Sequence, residues 1–219
     1  MKTVALVPIR LNNRRLPGKN LKPFTNGRPL CHYIFATLLE MPELAGVYAY
    51  CSDPAIVAYL PEGVTWLRRD PSMDRDTPPI IGDVARSFAE LVEADQYLLT
   101  HATAPFIRAS SIRRALAAVA AGDHDSAFAV VKKSTFVWYQ GQPLNFGPGE
   151  IVRTQDLTPV YEETSGFYLY GRQPALRGLR VGDRPKYIEI SAIEAVDIDE
   201  PVDFEIADAI FNHILKPKL

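Results

Sequence analysis

Short runs of β-branched and apolar residues alternate along this chain with segments whose apolar positions recur at helical spacing, and few folds accommodate that order. Thr3 to Ile9 is the first such run, bounded by Arg10, and it reads as a buried strand. Residues 10–28 are broken by Pro17, Gly18, Pro23 and Gly27, which makes them a loop. Pro29 then stands where a first helical turn begins, ahead of Leu30, Tyr33, Ile34 and Leu38. The spacing next predicts a strand at 47–51, a short helix at 54–60, a strand at 64–67 and a polar, proline-rich loop at 70–79. Ile80, Ile81, Val84, Phe88, Leu91 and Val92 mark one face of a helix, and Gln96 to Thr100 reads as the next strand. Ser110 or Ser111 is placed to cap a helix whose apolar face is Ile112, Leu116 and Val119.

Residues 126–131 make a further strand, after which the pattern loosens into an aromatic and glycine-proline stretch, so 132–161 is expected to be an excursion from the main sheet. Strands are expected to return at 166–170, 187–190 and 195–198, with Pro201 opening a last helix. Strands alternating with helices imply an α/β fold with a mostly parallel central sheet flanked by helices, Rossmann-like, with ligands outside the carboxyl ends of the strands. With 219 residues, 47% hydrophobic and 23% charged, the chain reads as one domain over 1–219 that needs no disulfide or structural metal. Cys31 and Cys51 form no C-x-x-C pair, which fits a reducing compartment. The opening apolar run is interrupted by Pro8 and Arg10, so it is expected to be a strand and not a leader. No stretch reaches the roughly 20 apolar residues of a membrane span. A cytoplasmic protein without a membrane contact is the expectation.

The net charge of -2 hides a separation. Every charged residue before Glu40 is basic: Lys2, Arg10, Arg14, Arg15, Lys19, Lys22 and Arg28. Between residues 187 and 215 every one is acidic, from Glu189 and Glu194 through Asp197, Asp199, Glu200, Asp203 and Glu205 to Asp208. The two ends could simply pair on one surface. Alternatively the head holds polyphosphate while the tail holds a divalent cation that bridges to it.

The loop after the first strand carries Arg10, Asn12, Asn13, Arg14, Arg15, Lys19 and Asn20 around a Pro17-Gly18 turn. Arginine offers a planar fork to phosphate oxygens and lysine a mobile point charge. Neither a Walker loop nor a dinucleotide fingerprint is present. By itself such a loop suits a solvated surface, a nucleic-acid contact or a nucleotide site. A net acidic chain with no nucleic-acid-binding pattern argues against the second of these.

The run V-P-I-R-L-N-N-R-R-L-P-G-K-N resembles the signature of the acylneuraminate cytidylyltransferases, or CMP-sialic acid synthetases, which reads roughly I-P-A-R-x-G-S-K-R-x-P-G-K-N. Arg10, Arg15, Pro17, Gly18, Lys19 and Asn20 match in place, while Asn12, Asn13 and Arg14 stand where the family has Gly, Ser and Lys. R-R-D-P and Asp76-Thr77 are similar to the family's R-P-x-x-L-x-x-D-T. H-A-T-A-P-F occupies the place of Q-P-T-S-P-L, keeping Thr103 and Pro105 and putting His101 where the family has an acceptor-contacting Gln. Asp197-Ile198-Asp199-Glu200-Pro201 is similar to the family's D-I-D-T-P, whose two aspartates bind magnesium. On an extended chain residues two apart share a face, so Asp197 and Asp199 could reach one cation while Ile198 packs behind. Alternatively Asp199 or Glu200 only starts the last helix. Residues 165–172 look more like the related KDO cytidylyltransferases, but those carry Q-G-D-E-P where this chain has H-A-T-A-P, and the sialic acid branch fits better.

The resemblance implies a CTP-dependent transferase that activates a nine-carbon, or eight-carbon, acidic sugar and releases pyrophosphate. It assigns Arg14, Lys19 and Asp199 to catalysis, and Arg10, Asn12, Asn13, Arg15, Asn20 and Asp76 to the nucleotide. His101, Thr103, Ser165 and Tyr168 would meet the sugar, and Asp197 and Asp199 would hold Mg²⁺. It also implies a homodimer built through 132–161. The alternatives are a KDO-type enzyme, or a relative that binds nucleotide or sugar without turnover.

Overall fold

In a computed structural model, which describes residues 1–75, 81–147, 149 and 152–216, the chain runs β1 (Thr3–Ile9), α1 (Cys31–Leu39), β2 (Leu44–Cys51), β3 (Val64–Arg68), α2 (Ile81–Leu91), β4 (Gln96–Thr100) and α3 (Ala109–Ala120). It continues with β5 (Ser126–Lys133), β6 (Trp138–Tyr139), β7 (Gln142–Pro143), β8 (Val160–Gly171), α4 (Arg172–Leu176), β9 (Pro185–Glu189) and α5 (Pro201–Ile210). The main sheet has the order β3-β2-β1-β4-β8-β5-β9, with β8 antiparallel to both neighbours and the other pairings parallel. The mostly parallel α/β sheet expected from the alternation is therefore present.

Strand β1 occupies the middle, pairing with β2 on one side and β4 on the other, Ala5 opposite both Val47 and Leu98. The chain leaves β1 toward β2 and returns across it to β4, so the strand order reverses between β1 and β4. A crevice forms where the loops after these two strands diverge. Both candidate ligand loops, 10–28 and 101–106, start from that point.

Alternation along β1 divides the core. Ala5, Val7 and Ile9 pack with Phe35, Ile112 and Phe167 on one face, while Val4 and Leu6 meet Tyr50, Phe88, Tyr97 and Tyr170 on the other. A third cluster joins the front loop to the chain's end: Leu16, Phe24, Leu30, Tyr33 and Phe106 pack with Ile198, Phe204, Ala207 and Phe211. Phe24 is its centre, with ring centroids 4.8 Å from Tyr33 and 5.0 Å from Phe204.

Three local expectations are corrected. Residues 195–198 are not a strand; they follow a turn in which the Ala195 N–H donates to the Ser191 carbonyl. The reason is Glu194, which is buried and accepts from the Ser111 hydroxyl at 2.7 Å and the Arg108 N–H at 3.3 Å. That carboxylate caps α3 from a distance, so neither Ser110 nor Ser111 serves as the N-cap, a position Arg108 fills without a side-chain bond. The excursion is narrower at its base than 132–161, since β5 and β8 pair out to Lys133 and Val160. Its tip is the β6–β7 hairpin, turned by Gln140 and Gly141, both at positive φ.

Truncating Phe24 to Ala should cost roughly 3 to 5 kcal/mol, as for other buried aromatics, and loosen the front loop together with α5. Urea unfolding with hydrogen exchange over residues 20–30 and 200–215 checks this, and protection lost from one segment only would contradict the weld.

Candidate active site

The crevice between the loops after β1 and β4 contains a cavity of about 240 Å³, lined by Arg10, Asn13, Arg15, Lys19 and Asn20 from the front loop and by His101 and Thr103 from the second loop. Arg69, at the end of β3, and Asp199, ahead of α5, complete its polar wall. An adjoining cavity is lined by Arg14, Arg15, Asn13 and Lys19, so Arg14 faces the same region.

Head and tail charges meet here. Lys19, a buried lysine, donates to the Ile198 carbonyl at 2.7 Å and to the Asp199 carboxylate at 3.0 Å. Arg15 reaches the same Asp199 oxygen at 2.9 Å and Glu200 at 3.6 Å. Partial burial would raise the Asp199 carboxyl, but the hydrogen bond and charge of Lys19, joined by Arg15, outweigh it and hold the group below the ordinary carboxylate range. The Ile198 N–H donates to the Thr103 carbonyl at 2.9 Å, tying the aspartate segment to the loop after β4. Ile198 is fully buried between its two half-buried aspartates.

Starting the last helix falls to Glu200, whose side chain accepts from the N3 backbone in a capping box with Asp203. Asp199 is thereby left to the cations. The pairing of the two ends is also real, because the Thr25 N–H donates to Asp208 at 3.0 Å and the Lys22 ammonium lies 4.3 Å from the centre of the Phe204 ring.

Among the described residues, three buried polar atoms of side chains that line the cavity lack a hydrogen-bond partner: Asn13 Oδ1, Asn20 Oδ1 and Arg69 Nε. The Asn20 assignment is fixed by its Nδ2, which donates to the Arg10 carbonyl at 2.8 Å. Arg69 is 2% exposed and anchors its guanidinium on the carbonyls of Tyr50 at 3.2 Å and Ile9 at 3.0 Å. Asp197 lines neither cavity, but its Oδ1 is also buried without a partner among the described residues, and its charge and that of Asp199 both act on His101.

A family model described as cytidylyltransferase matches residues 4–209. The chain belongs to the cytidylyltransferase family. It is 28% identical over 214 residues to the N-acylneuraminate cytidylyltransferase of Oncorhynchus mykiss, covering 93% of this chain but 49% of that protein. The chain thus spans about half the length of that relative. It is 26% identical to 3-deoxy-manno-octulosonate cytidylyltransferase 2 of Hydrogenovibrio crunogenus, covering 97% of this chain and 99% of that one. The fold resembles that of CMP:2-keto-3-deoxy-manno-octonic acid synthetase complexed with CTP, with a TM-score of 0.72 at 20% identity, covering 98% of this chain and 100% of that one.

In this cytidylyltransferase-family chain the crevice gathers Arg10, Asn13, Arg14, Arg15, Lys19, Asn20, His101, Thr103 and Asp199 from the sequence-selected set. Asn12 is exposed and lines neither cavity. Asp76 lies outside the described residues. Tyr168 is buried and stacks on Phe128, its hydroxyl donating to Glu163 at 2.6 Å and to the Thr164 carbonyl at 3.1 Å, and burial followed by the Glu163 bond pushes its pKa up. Ser165, half-buried in β8, lines neither cavity. Arg69 was not selected from the sequence as a site residue. A second arginine beside Arg68 at a strand end is the signal, but its burial depends on Tyr50 and Ile9, distant in sequence.

Burial of the charged form pushes the His101 pKa down from 6.5 to about 4, against the charges of Asp197 and Asp199. The unfolded chain therefore takes up this proton first, so stability falls as pH drops below about 6.5 and the effect levels off near 4. Chemical denaturation between pH 4 and 7 should show this slope, reduced in His101→Gln; equal slopes in the two proteins would contradict the burial.

Proposed function

We propose that this protein transfers a cytidylyl group from CTP to the anomeric hydroxyl of a nonulosonic, sialic-acid-like sugar and releases pyrophosphate. The observation that carries the reading is the set of three unpartnered atoms in one wall. A buried polar atom without a partner costs about 1 to 3 kcal/mol, which a ligand with complementary groups recovers. A pyrimidine such as cytosine offers carbonyl and ring-nitrogen acceptors to Arg69 Nε and an amine to the amide oxygens of Asn20 and Asn13. The basic loop begins beside that wall and continues into the second cavity, the direction a triphosphate would take.

Attack at the α-phosphorus and departure of pyrophosphate both load negative charge on phosphate oxygens. Cations fixed before the reaction stabilise that charge without reorganising, which favours the transition state over the ground state. Lys19 meets this requirement, since its burial and its bond to the Ile198 carbonyl fix its ammonium within the wall. Arg10 and Arg14 extend the positive field along the triphosphate. Thr103 and His101 border the side left for the sugar, and neutral His101 offers one donor and one acceptor to its hydroxyl or amide groups.

Asp197 and Asp199 fit a Mg²⁺ site by chemistry: both are hard oxygen donors, Asp199 lines the cavity, and Asp197 Oδ1, two residues away, is buried without a partner among the described residues. Among the described residues no group of three or more His, Cys, Asp or Glu assembles, so phosphate and water would supply the other ligands. When bound, the ion would lower the hydroxyl pKa and neutralise phosphate charge. We further propose a homodimer through the excursion, where Trp138 at 64% and Tyr139 at 62% exposed cover no core of their own monomer. No described helix is long and apolar enough to cross a membrane, and the free, buried cysteines favour the cytoplasm.

Pyrophosphate release from CTP should appear with a nine-carbon nonulosonic acid, more strongly than with an eight-carbon one. Asp199→Ala should lower the rate by at least about two orders of magnitude. CTP binding without turnover on any acidic sugar would turn the reading toward a non-catalytic binder, and full turnover in Asp199→Ala would remove that residue from catalysis.

A further inference from the structure

Asp74 ends the single turn Pro71–Asp74 and does not itself line the cavity, yet it holds two groups that do. One carboxylate oxygen accepts from the Arg69 guanidinium and the other from the Ser52 hydroxyl. Its main-chain carbonyl accepts from Arg10 at 3.0 Å. The side chain thus acts on Arg69 and the main chain on Arg10, which separates what a substitution can disturb.

Arg69 needs such a partner. Its guanidinium is taken out of water, and the carbonyls of Tyr50 and Ile9 supply hydrogen bonds but no countercharge. A buried cation left without an anion moves toward solvent or distorts its surroundings. Among the described residues Asp74 is the carboxylate paired with it. Arginine also carries substantial rotamer freedom, and the three anchors together fix the orientation of the guanidinium in the cavity wall. Ser52 reaches Asp74 from the end of β2, so the countercharge is itself held in place.

We propose that Asp74, seated by Ser52, is the positioning residue that aims Arg69 at the nucleobase, and that it sets both the affinity and the base preference of the nucleotide site. The proposal rests on the nucleotide reading above. Its consequence is specific, because a triphosphate without a base does not reach Arg69 and should be indifferent to the Asp74 side chain.

The test is calorimetric binding of CTP, UTP and inorganic tripolyphosphate, with Mg²⁺ and no sugar, to the full chain and to Asp74→Asn and Ser52→Ala. Asp74→Asn should weaken CTP about tenfold, the scale of one lost charge-assisted bond, narrow the preference for CTP over UTP, and leave tripolyphosphate unchanged. Ser52→Ala should do the same to a smaller degree. Should Asp74→Asn lose its cooperative thermal transition, Ser52→Ala and Asp74→Glu carry the same comparison, with Asp74→Glu retaining most of the CTP affinity. Unchanged CTP affinity in the folded variants overturns the proposal, and so does equal weakening of CTP and tripolyphosphate, which marks a merely structural role. An unsubstituted protein that binds tripolyphosphate but not CTP overturns the nucleotide reading itself, and the proposal with it.

Discussion

The contact between Lys19 and Asp199 joins residues 180 positions apart and ties the front loop to the segment ahead of α5 across the crevice. A long loop rich in arginine and lysine would repel itself and solvate if left alone. Here it is drawn against an acidic segment by charge and held there by the aromatic cluster around Phe24, so a cationic surface is fixed in shape before any anion arrives. The apolar cluster supplies cohesion, and the ion pairs supply register. The more exposed Arg15 pairs stabilise little on their own, which leaves their main role as positional.

The same economy governs the floor of the crevice. The reversal of strand order at β1 places two loop exits side by side, and every polar wall residue reaches the cavity from the end of a buried element or from a segment pinned to one. Arg69 sits at the end of β3, His101 follows β4 directly, and Asp199 precedes α5. Loops anchored this way present fixed donors and acceptors, as preorganised binding and transition-state stabilisation both require.

Much of this was legible in the sequence because local pattern and global fold agree. The apolar run of β1, the Pro29 start of α1 and the Pro201 start of α5 each report a local preference that tertiary packing preserves. The front loop was legible for a different reason, since its charge density and its Pro17-Gly18 turn do not depend on distant partners. Residues 195–198 looked like a strand because Ala195, Val196 and Ile198 are apolar, but the pull of Glu194 toward the start of α3 is a tertiary effect with no local signature. Arg69 lay in a segment similar to the family's but carried no sign of its burial, and Asp74 carried no local signal at all. An arginine and an aspartate near a strand end read as surface charge until Tyr50, Ile9 and Ser52 are brought around them.

In the proposed function the early cations and the late aspartates form one receptor for a nucleotide triphosphate and its divalent ion. Diffraction from crystals grown with CTP and Mn²⁺ tests it most directly. The expected result is an anomalous manganese peak bonded to Asp199 and to triphosphate oxygens, with the base against Arg69 and Asn20. A manganese ion and triphosphate bound away from the crevice between the two loops would contradict it.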